Sequence, residues 1–188
     1  MGATGLMIEI EKKYRLTEEQ REAVVQRLRE VEARVVHGEE FEENTIYSGG
    51  SLRPETSVLR LRRVAGRALL TFKEQFADSA AFAIKRRREE ETEVADAEAM
   101  HAILLALGFR PALVYEKRRQ TWRVGKVEVV IDELSFGLFM EIEGEEGEIE
   151  TAERELGVDG FPAEHSSYPR LAAENGRRVG EMIEARFS

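Results

Sequence analysis

Residues 7–16, MIEIEKKYRL, carry the reading that decides the fold. Written as a strand, successive side chains alternate across the pleat, so Ile8, Ile10 and Tyr14 fall on one side and Glu9, Glu11, Lys13 and Arg15 on the other. One face is apolar and the other is fully ionised. The pattern returns along the chain: Arg60 and Arg62 alternate with Leu59 and Leu61, Thr71 and Lys73 flank Phe72, Asp132 follows Ile131, and Glu141 and Glu143 flank Ile142. A single strand of this kind reads as a wet sheet face. Such a face usually mixes in Ser, Thr and Gln, whereas these strands repeat long ionised side chains in matching pairs. If they close into a barrel, one face becomes a lumen crowded with acids and bases.

The rest of the chain supplies the other strands. The first strand runs to Leu16, where Thr17 with Gln20 three residues on forms a capping box for a helix carrying Val24, Leu28 and Val31 on one face. ARVVHGEEFEENTIYS (33–48) reads as extended chain pausing at Gly38, and Gly49-Gly50 to Pro54 as a loop. VLRLRRV (58–64) and ALLTFKEQF (68–76) make a hairpin across Ala65-Gly66-Arg67, and AFAIKRRREEETEV (81–94) continues as a charged strand. Asp96 caps a second helix whose Met100, Ile103, Leu104 and Leu107 form an apolar stripe, ending at Gly108. Three more strands follow: LVYEKRRQTWRV (113–124), KVEVVIDEL (126–134), joined to it at Gly125-Lys126, and GLFMEIEG (137–144). A third helix is expected over 149–156, and the tail from Ser166 as one or two short helices broken near Pro169 and Gly176. The fold class expected is α+β: a closed eight-stranded antiparallel barrel with helices outside and a C-terminal helical segment.

A length of 188 residues with 42% hydrophobic residues fits one domain spanning 1–188. No apolar run approaches the ~18 residues that span a bilayer, and no secretion signal opens the chain, so a soluble cytoplasmic protein is expected, monomer or homodimer, with no membrane partner. The absence of cysteine excludes disulfides, thiolate metal sites and thiol nucleophiles. A net charge of -9 makes long nucleic acid an unsuitable partner. Yet cations gather in LRLRR, IKRRR and EKRRQ, so a local anion site is compatible with an acidic protein. His37, His101 and His165 have no metal-ligand spacing, and Trp122 reads as a wall residue.

Converging carboxylates without Cys or His suit hard cations such as Mg²⁺ or Mn²⁺, which take a few carboxylates plus phosphate oxygens. Arginines supply the fork that matches phosphate. Together these groups describe a site for a metal-bound polyphosphate.

Here the sequence resembles the CYTH superfamily, also called triphosphate tunnel metalloenzymes, which includes thiamine triphosphatases, inorganic triphosphatases and class IV adenylyl cyclases. EIEKK holds its Glu-x-Glu-x-Lys signature as Glu9, Glu11 and Lys13. The family's order then continues through Arg60 and Arg62, Lys73, the charged strand RRREEETEV, Lys117 and Arg119, the Asp132 of VIDEL, and GLFMEIEG with Gly137, Glu141 and Glu143. SSYPRLAAE, with Ser167 and Tyr168, resembles the family's C-terminal Ser-Tyr segment. The resemblance implies an eight-stranded tunnel in which Lys13, Arg60, Arg62, Lys73, Arg87, Lys117 and Arg119 grip a triphosphate and Glu9, Glu11, Asp132, Glu141 and Glu143 hold one or two divalent ions. Glu11, Glu143 and Lys13 are the implied catalytic residues. Glu89 and Glu91 look like further lumen acids, with Arg87 or Arg88 beside them, in a run where a one-residue slip would exchange the inner and outer sets.

Three functions fit such a tunnel. In a triphosphatase water attacks and inorganic phosphate leaves. In a cyclase the ribose 3′-hydroxyl attacks the α-phosphorus and pyrophosphate leaves. A sensor would bind polyphosphate or a nucleotide without turnover, and would have no need of the full acid set. Class IV cyclases carry a His-Phe pair shortly before the signature, where this chain has Ala3 and Thr4. Hydrolysis of a small-molecule triphosphate is therefore the expected activity.

Overall fold

A computed structural model describes residues 7–75 and 85–188. Strand β1 (Met7–Leu16) leads to helix α1 (Glu18–Glu30), followed by β2 (Arg34–Ser48), β3 (Ser57–Val64), β4 (Arg67–Gln75) and β5 (Lys85–Val94). Helix α2 (Ala97–Ala106) precedes β6 (Arg110–Val124), β7 (Val127–Leu134) and β8 (Gly137–Glu143). Helices α3 (Glu146–Leu156) and α4 (Tyr168–Asn175) and a short hairpin of β9 (Arg177–Val179) and β10 (Met182–Ala185) complete the order. Among the described residues no helix is long and apolar enough to cross a membrane.

The strands pair in the order β2-β3-β4-β5-β1-β8-β7-β6, all antiparallel, and β2 pairs in turn with β6. That last pairing brings the two ends of the eight strands together as a ring. Its register shifts at Val35/His37, His37/Glu40 and Ile46/Tyr47, so the seam bulges beside Gly38, where the sequence suggested a pause. β10 adds to β6 in parallel at Leu113–Tyr115.

Alternation decides which face does what, and the apolar cluster beneath α1 and α3 lies outside the ring. Tyr14, Trp122, Val127, Val129, Ile131, Met140 and Ile142 form one buried cluster with Val24 and Leu28 of α1 and Ile149, Ala152 and Leu156 of α3. Lys12, on this greasy side of β1, ends 2.5 Å from Glu153 of α3, which also accepts the Tyr14 hydroxyl. Burial and the Glu153 charge both raise the Tyr14 phenol far above its ordinary range. A second cluster joins α4 and β10 to Leu113, Tyr115, Leu134 and Phe139 at one end of the ring, and a third lies beneath α2.

Local signals act as expected at several joints. Thr17 accepts from the Gln20 backbone N–H, and the Gln20 side chain accepts from the Thr17 N–H at 2.8 Å. Asp96 accepts from Glu98 and Ala99 at the start of α2. The β3–β4 turn has Ala65 and Gly66 at φ 48° and 76°, the left-handed pair that matches strand twist in a two-residue hairpin.

Two expectations fail. The α2 stripe does not pack as a whole: Leu104 is buried, but Ile103 and Leu107 are 51% and 67% exposed, because the helix meets the sheet through Ala97, Met100 and Leu104 only. Of the one or two short helices expected in the tail there is one, running through Pro169, and beyond Gly176 the chain forms strands instead of helix. Pro169 sits within the first turn of α4, where its missing N–H costs nothing. Beyond Gly176 the chain turns at Gly180 (φ 62°), and Ile183 and Ala185 join the apolar end cluster as part of a strand on β6. Phe76 and the expected strand start at 81–84 lie outside the described residues.

Gly176 fixes α4 against β10. A Cβ there would stand 2.7 Å from the Ala172 carbonyl oxygen and 2.8 Å from that of Glu184. Gly176→Ala is expected to destabilise the fold by ~1–3 kcal/mol through overpacking against backbone that cannot swing aside. A calorimetric melt compared with Gly147→Ala, a helix position where nothing lies within 4 Å and Ala should if anything stabilise, reads this out.

Candidate active site

The ionised faces of the strands look into one shared cavity. Its lining includes Glu11 and Lys13 from β1, Arg60 and Arg62 from β3, Thr71 and Lys73 from β4, Lys117 and Arg119 from β6, Glu128 from β7, and Glu141 and Glu143 from β8. Ser57 and Val58 contribute from the start of β3, and Ser167, Tyr168 and Pro169 from α4. The structure thus brings together Lys13, Arg60, Arg62, Lys73, Lys117 and Arg119, six cations predicted from four separate segments.

These cations are not loose, because carboxylates tie them into a chain. Glu141 stands 3.2 Å from Lys13 and 2.9 Å from Arg119. Asp132, fully buried, takes the Arg119 fork at 2.7 and 2.6 Å and lies 3.5 Å from Lys117. Glu42, also buried, lies 3.4 Å from Lys117 and 3.2 Å from Arg62. Beyond Arg62, Arg60 reaches Thr71 at 3.2 Å and Glu91 at 3.6 Å, and Lys73 reaches Glu89 at 2.7 Å. Enclosure makes each link strong and each missing partner costly.

The titrations follow this geometry. Burial would raise Glu42, but Lys117 and Arg62 overcome it and hold the carboxyl at about 2. Burial likewise works against ionisation of Glu141, and Lys13 and Arg119 nonetheless keep it well below the carboxylate range. Lys117 is brought down to about 7 by burial and by Arg119, against the pull of Asp132 and Glu42. For Arg119 the neighbouring Asp132 outweighs burial, and the guanidinium stays charged at any working pH.

The candidate metal ligands fall into two groups. Asp132 is committed to Arg119, Lys117 and the Tyr168 hydroxyl, and Glu141 bridges Lys13 and Arg119. Glu11 and Glu143 stand side by side across β1 and β8, and Glu128 is next to Glu143 across β7, with Arg123 3.2 Å away. Glu143 is exposed at the rim, whereas Glu11 is buried. Adjacent carboxylates repel, and an all-oxygen donor set suits a hard divalent ion as the counter-charge. Among the described residues no three such groups gather closely enough to hold an ion by themselves. The rim therefore fits an ion that takes one or two carboxylates and fills its shell with phosphate oxygens and water.

The register of β5 is settled at its second half: Glu89 and Glu91 face the lumen, while Arg88 pairs outside with Glu90. Glu9 and Arg87 are Cα partners between β1 and β5, and their side chains lie outside the described residues. Sequence reasoning missed Glu42, Glu128 and Asn44, whose side-chain oxygen accepts from Arg62 at 3.1 Å. The two-residue step from Asp132 through Val130 would have found Glu128. Glu42 sits in a strand with acids of both parities, so alternation alone gave no signal there.

Comparison with known proteins agrees with this fold. A family model described as the CYTH domain matches residues 7–159. A Methanocaldococcus jannaschii protein provisionally named an adenylate cyclase is 29% identical over 140 residues, 73% of this chain and 77% of that one. A Pyrococcus horikoshii structure superposes with a TM-score of 0.74 at 25% identity, covering 87% of this chain and 98% of the other. A Hippeastrum structure, described as a provisional adenylyl cyclase with a dominant triphosphatase activity, gives a TM-score of 0.66 at 16% identity over 94% and 100% of the two chains, a likeness of fold alone.

Glu42 yields a stability test. Its folded carboxyl titrates at about 2 against an ordinary 4.5, so its contribution is fully present above pH 4.5 and is lost as pH falls through 2. The shift corresponds to about 3 kcal/mol. Glu42→Gln is expected to lose roughly that amount at pH 7 and to show a shallower decline between pH 4.5 and pH 2 than the parent. Urea unfolding at pH 7 and pH 3 measures both.

Proposed function

We propose, from the premise that the chain belongs to the CYTH domain family, that it is a divalent-metal-dependent hydrolase of triphosphates bound in the charged lumen. The observation that carries this reading is the convergence of Lys13, Arg60, Arg62, Lys73, Lys117 and Arg119 on one cavity that also has carboxylates at its rim. Inorganic, thiamine and nucleoside triphosphates share the polyanion that these cations match. The same reading places the protein in the cytoplasm as a single domain, monomer or homodimer.

In this mechanism Arg60, Arg62 and Lys73 on one wall and Lys13, Lys117 and Arg119 on the other spread positive charge along the phosphate chain. Glu141 and Asp132 keep Lys13 and Arg119 in place, so little reorganisation is needed when the anion arrives. Glu11 and Glu143, with Glu9 in line on β1, are the residues that would hold Mg²⁺ or Mn²⁺. A bound divalent ion draws off charge that develops on the transferred phosphoryl group. In this reading Glu143, exposed at the rim, orients water and accepts its proton. Water oxygen then bonds to the terminal phosphorus as the bridging P–O bond breaks, releasing inorganic phosphate and leaving the shorter phosphate chain on the cations.

A second reading, cyclisation of ATP to cyclic AMP, is favoured by the name of the Methanocaldococcus jannaschii relative. Its products separate the two. Incubation with inorganic triphosphate, thiamine triphosphate and ATP, each with Mg²⁺ or Mn²⁺, is expected to release inorganic phosphate and to stop on chelation. Cyclic AMP and pyrophosphate from ATP would establish the cyclase instead. Glu143→Gln is expected to lower kcat by about 10²-fold or more with KM changed only a few fold, because a rim carboxylate acts on the reacting end rather than on the gripped chain. Steady-state kinetics on the preferred substrate reads the split, and equal loss in both constants would remove Glu143 from the chemistry.

A further inference from the structure

Tyr168 lies beyond residue 159, where the family match ends, and comes from α4 rather than from the ring of strands. It nevertheless forms part of the lumen wall. Its ring faces two of the cations from below: the Lys13 ammonium is 3.8 Å from the ring centroid and the Lys117 ammonium 5.3 Å. Its hydroxyl donates to Asp132 at 2.7 Å, onto the carboxylate oxygen that also receives Arg119 at 2.6 Å. One side chain thus touches the supports of three phosphate-gripping groups. Its own position is fixed by Phe139, packed edge-on at 5.4 Å, and by burial of α4 residues Leu171 and Ala172 against Leu113 and Ala185. Burial first, and then Asp132, raise the phenol well above its ordinary range, so it remains a donor at working pH.

We infer that Tyr168 is a positioning residue of the phosphate-binding lumen, its ring holding the Lys13 and Lys117 ammoniums and its hydroxyl fixing Arg119 through Asp132. The inference rests on the triphosphate reading above. A desolvated ammonium is attracted to the negative face of an aromatic ring, which sets its location without neutralising it. A carboxylate in the same place would hold the lysines equally well but would cancel charge that the anion needs. The ring therefore preorganises the two ammoniums without adding a negative charge beside them. The hydroxyl, by occupying one Asp132 oxygen, leaves that carboxylate one orientation in which to receive the Arg119 fork.

The test is calorimetric binding of inorganic triphosphate with Mg²⁺, together with steady-state kinetics and a thermal melt of each variant. Tyr168→Leu, which removes ring and hydroxyl, is expected to weaken Kd and raise KM by about tenfold while kcat changes less. Tyr168→Phe, which restores the ring alone, is expected to recover most of the affinity. Mono-, di- and trifluorophenylalanine at position 168 keep nearly the same size while draining the ring's negative face, so affinity should fall stepwise along the series at constant Tm. That series keeps the test intact if the leucine variant does not fold. Equal affinity across the fluorinated series, or affinity lost only in step with Tm, would overturn the positioning role while wild-type binding stands. Failure of the wild type to bind would instead overturn the reading of the lumen, and this inference with it.

Discussion

The structure depends on a requirement that charges within an enclosed space be balanced link by link. Lys13, Glu141, Arg119, Asp132, Lys117, Glu42 and Arg62 form a sequence of alternating sign that runs across β1, β8, β6, β7, β2 and β3. Remove an acid and two cations lose the partner they share; remove a cation and each acid beside it keeps only one counter-charge. The network therefore fixes the mutual register of strands that have few apolar contacts inside the ring. It also leaves the cations in forward-facing positions, tied from the side and open toward the cavity.

The helices are a consequence of the same inversion. With the inner face ionised, the apolar face of β1, β7 and β8 must be covered from outside, and α1 and α3 do so through Val24, Leu28, Ile149 and Leu156. The end of the ring is closed differently, by α4 and β10, which bring Tyr168 and Leu171 to Phe139 and Tyr115. The wall is thus one residue thick, with the apolar layer under α1 and α3 on its outer side and the charge network and the cavity on its inner side.

Much of this was legible in the sequence because alternation has only two phases. The parity of Glu11 and Lys13 against Ile10 and Tyr14 assigned both faces of β1, and the same logic carried Arg60, Arg62 and Lys73 to the lumen, whereas Lys117 and Arg119 were reached only through the family resemblance. What stayed hidden was which carboxylate serves which cation. Asp132 reads in sequence as a metal ligand, yet in the fold it is engaged by Arg119, Lys117 and Tyr168, contacts that join residues far apart in the chain. The tail was misread because Pro169 and Gly176 look alike as breakers. Only packing distinguishes a proline that opens a helix from a glycine that ends one against β10. The α2 stripe was misread for the converse reason: periodicity gives a helix, while coverage depends on how much of the sheet is within reach.

The division of the wall into two sides has an evolutionary corollary. Substitutions at inward positions can redraw what the tunnel accepts without disturbing the oily layer that keeps the protein folded, provided that charges are exchanged in neutral sets. Conversely, insertion of one residue into any of these strands would turn grease inward and salt outward for the remainder of that strand. A lineage built on this architecture is free to diversify its clientele by replacement and is nearly forbidden to do so by changing strand length.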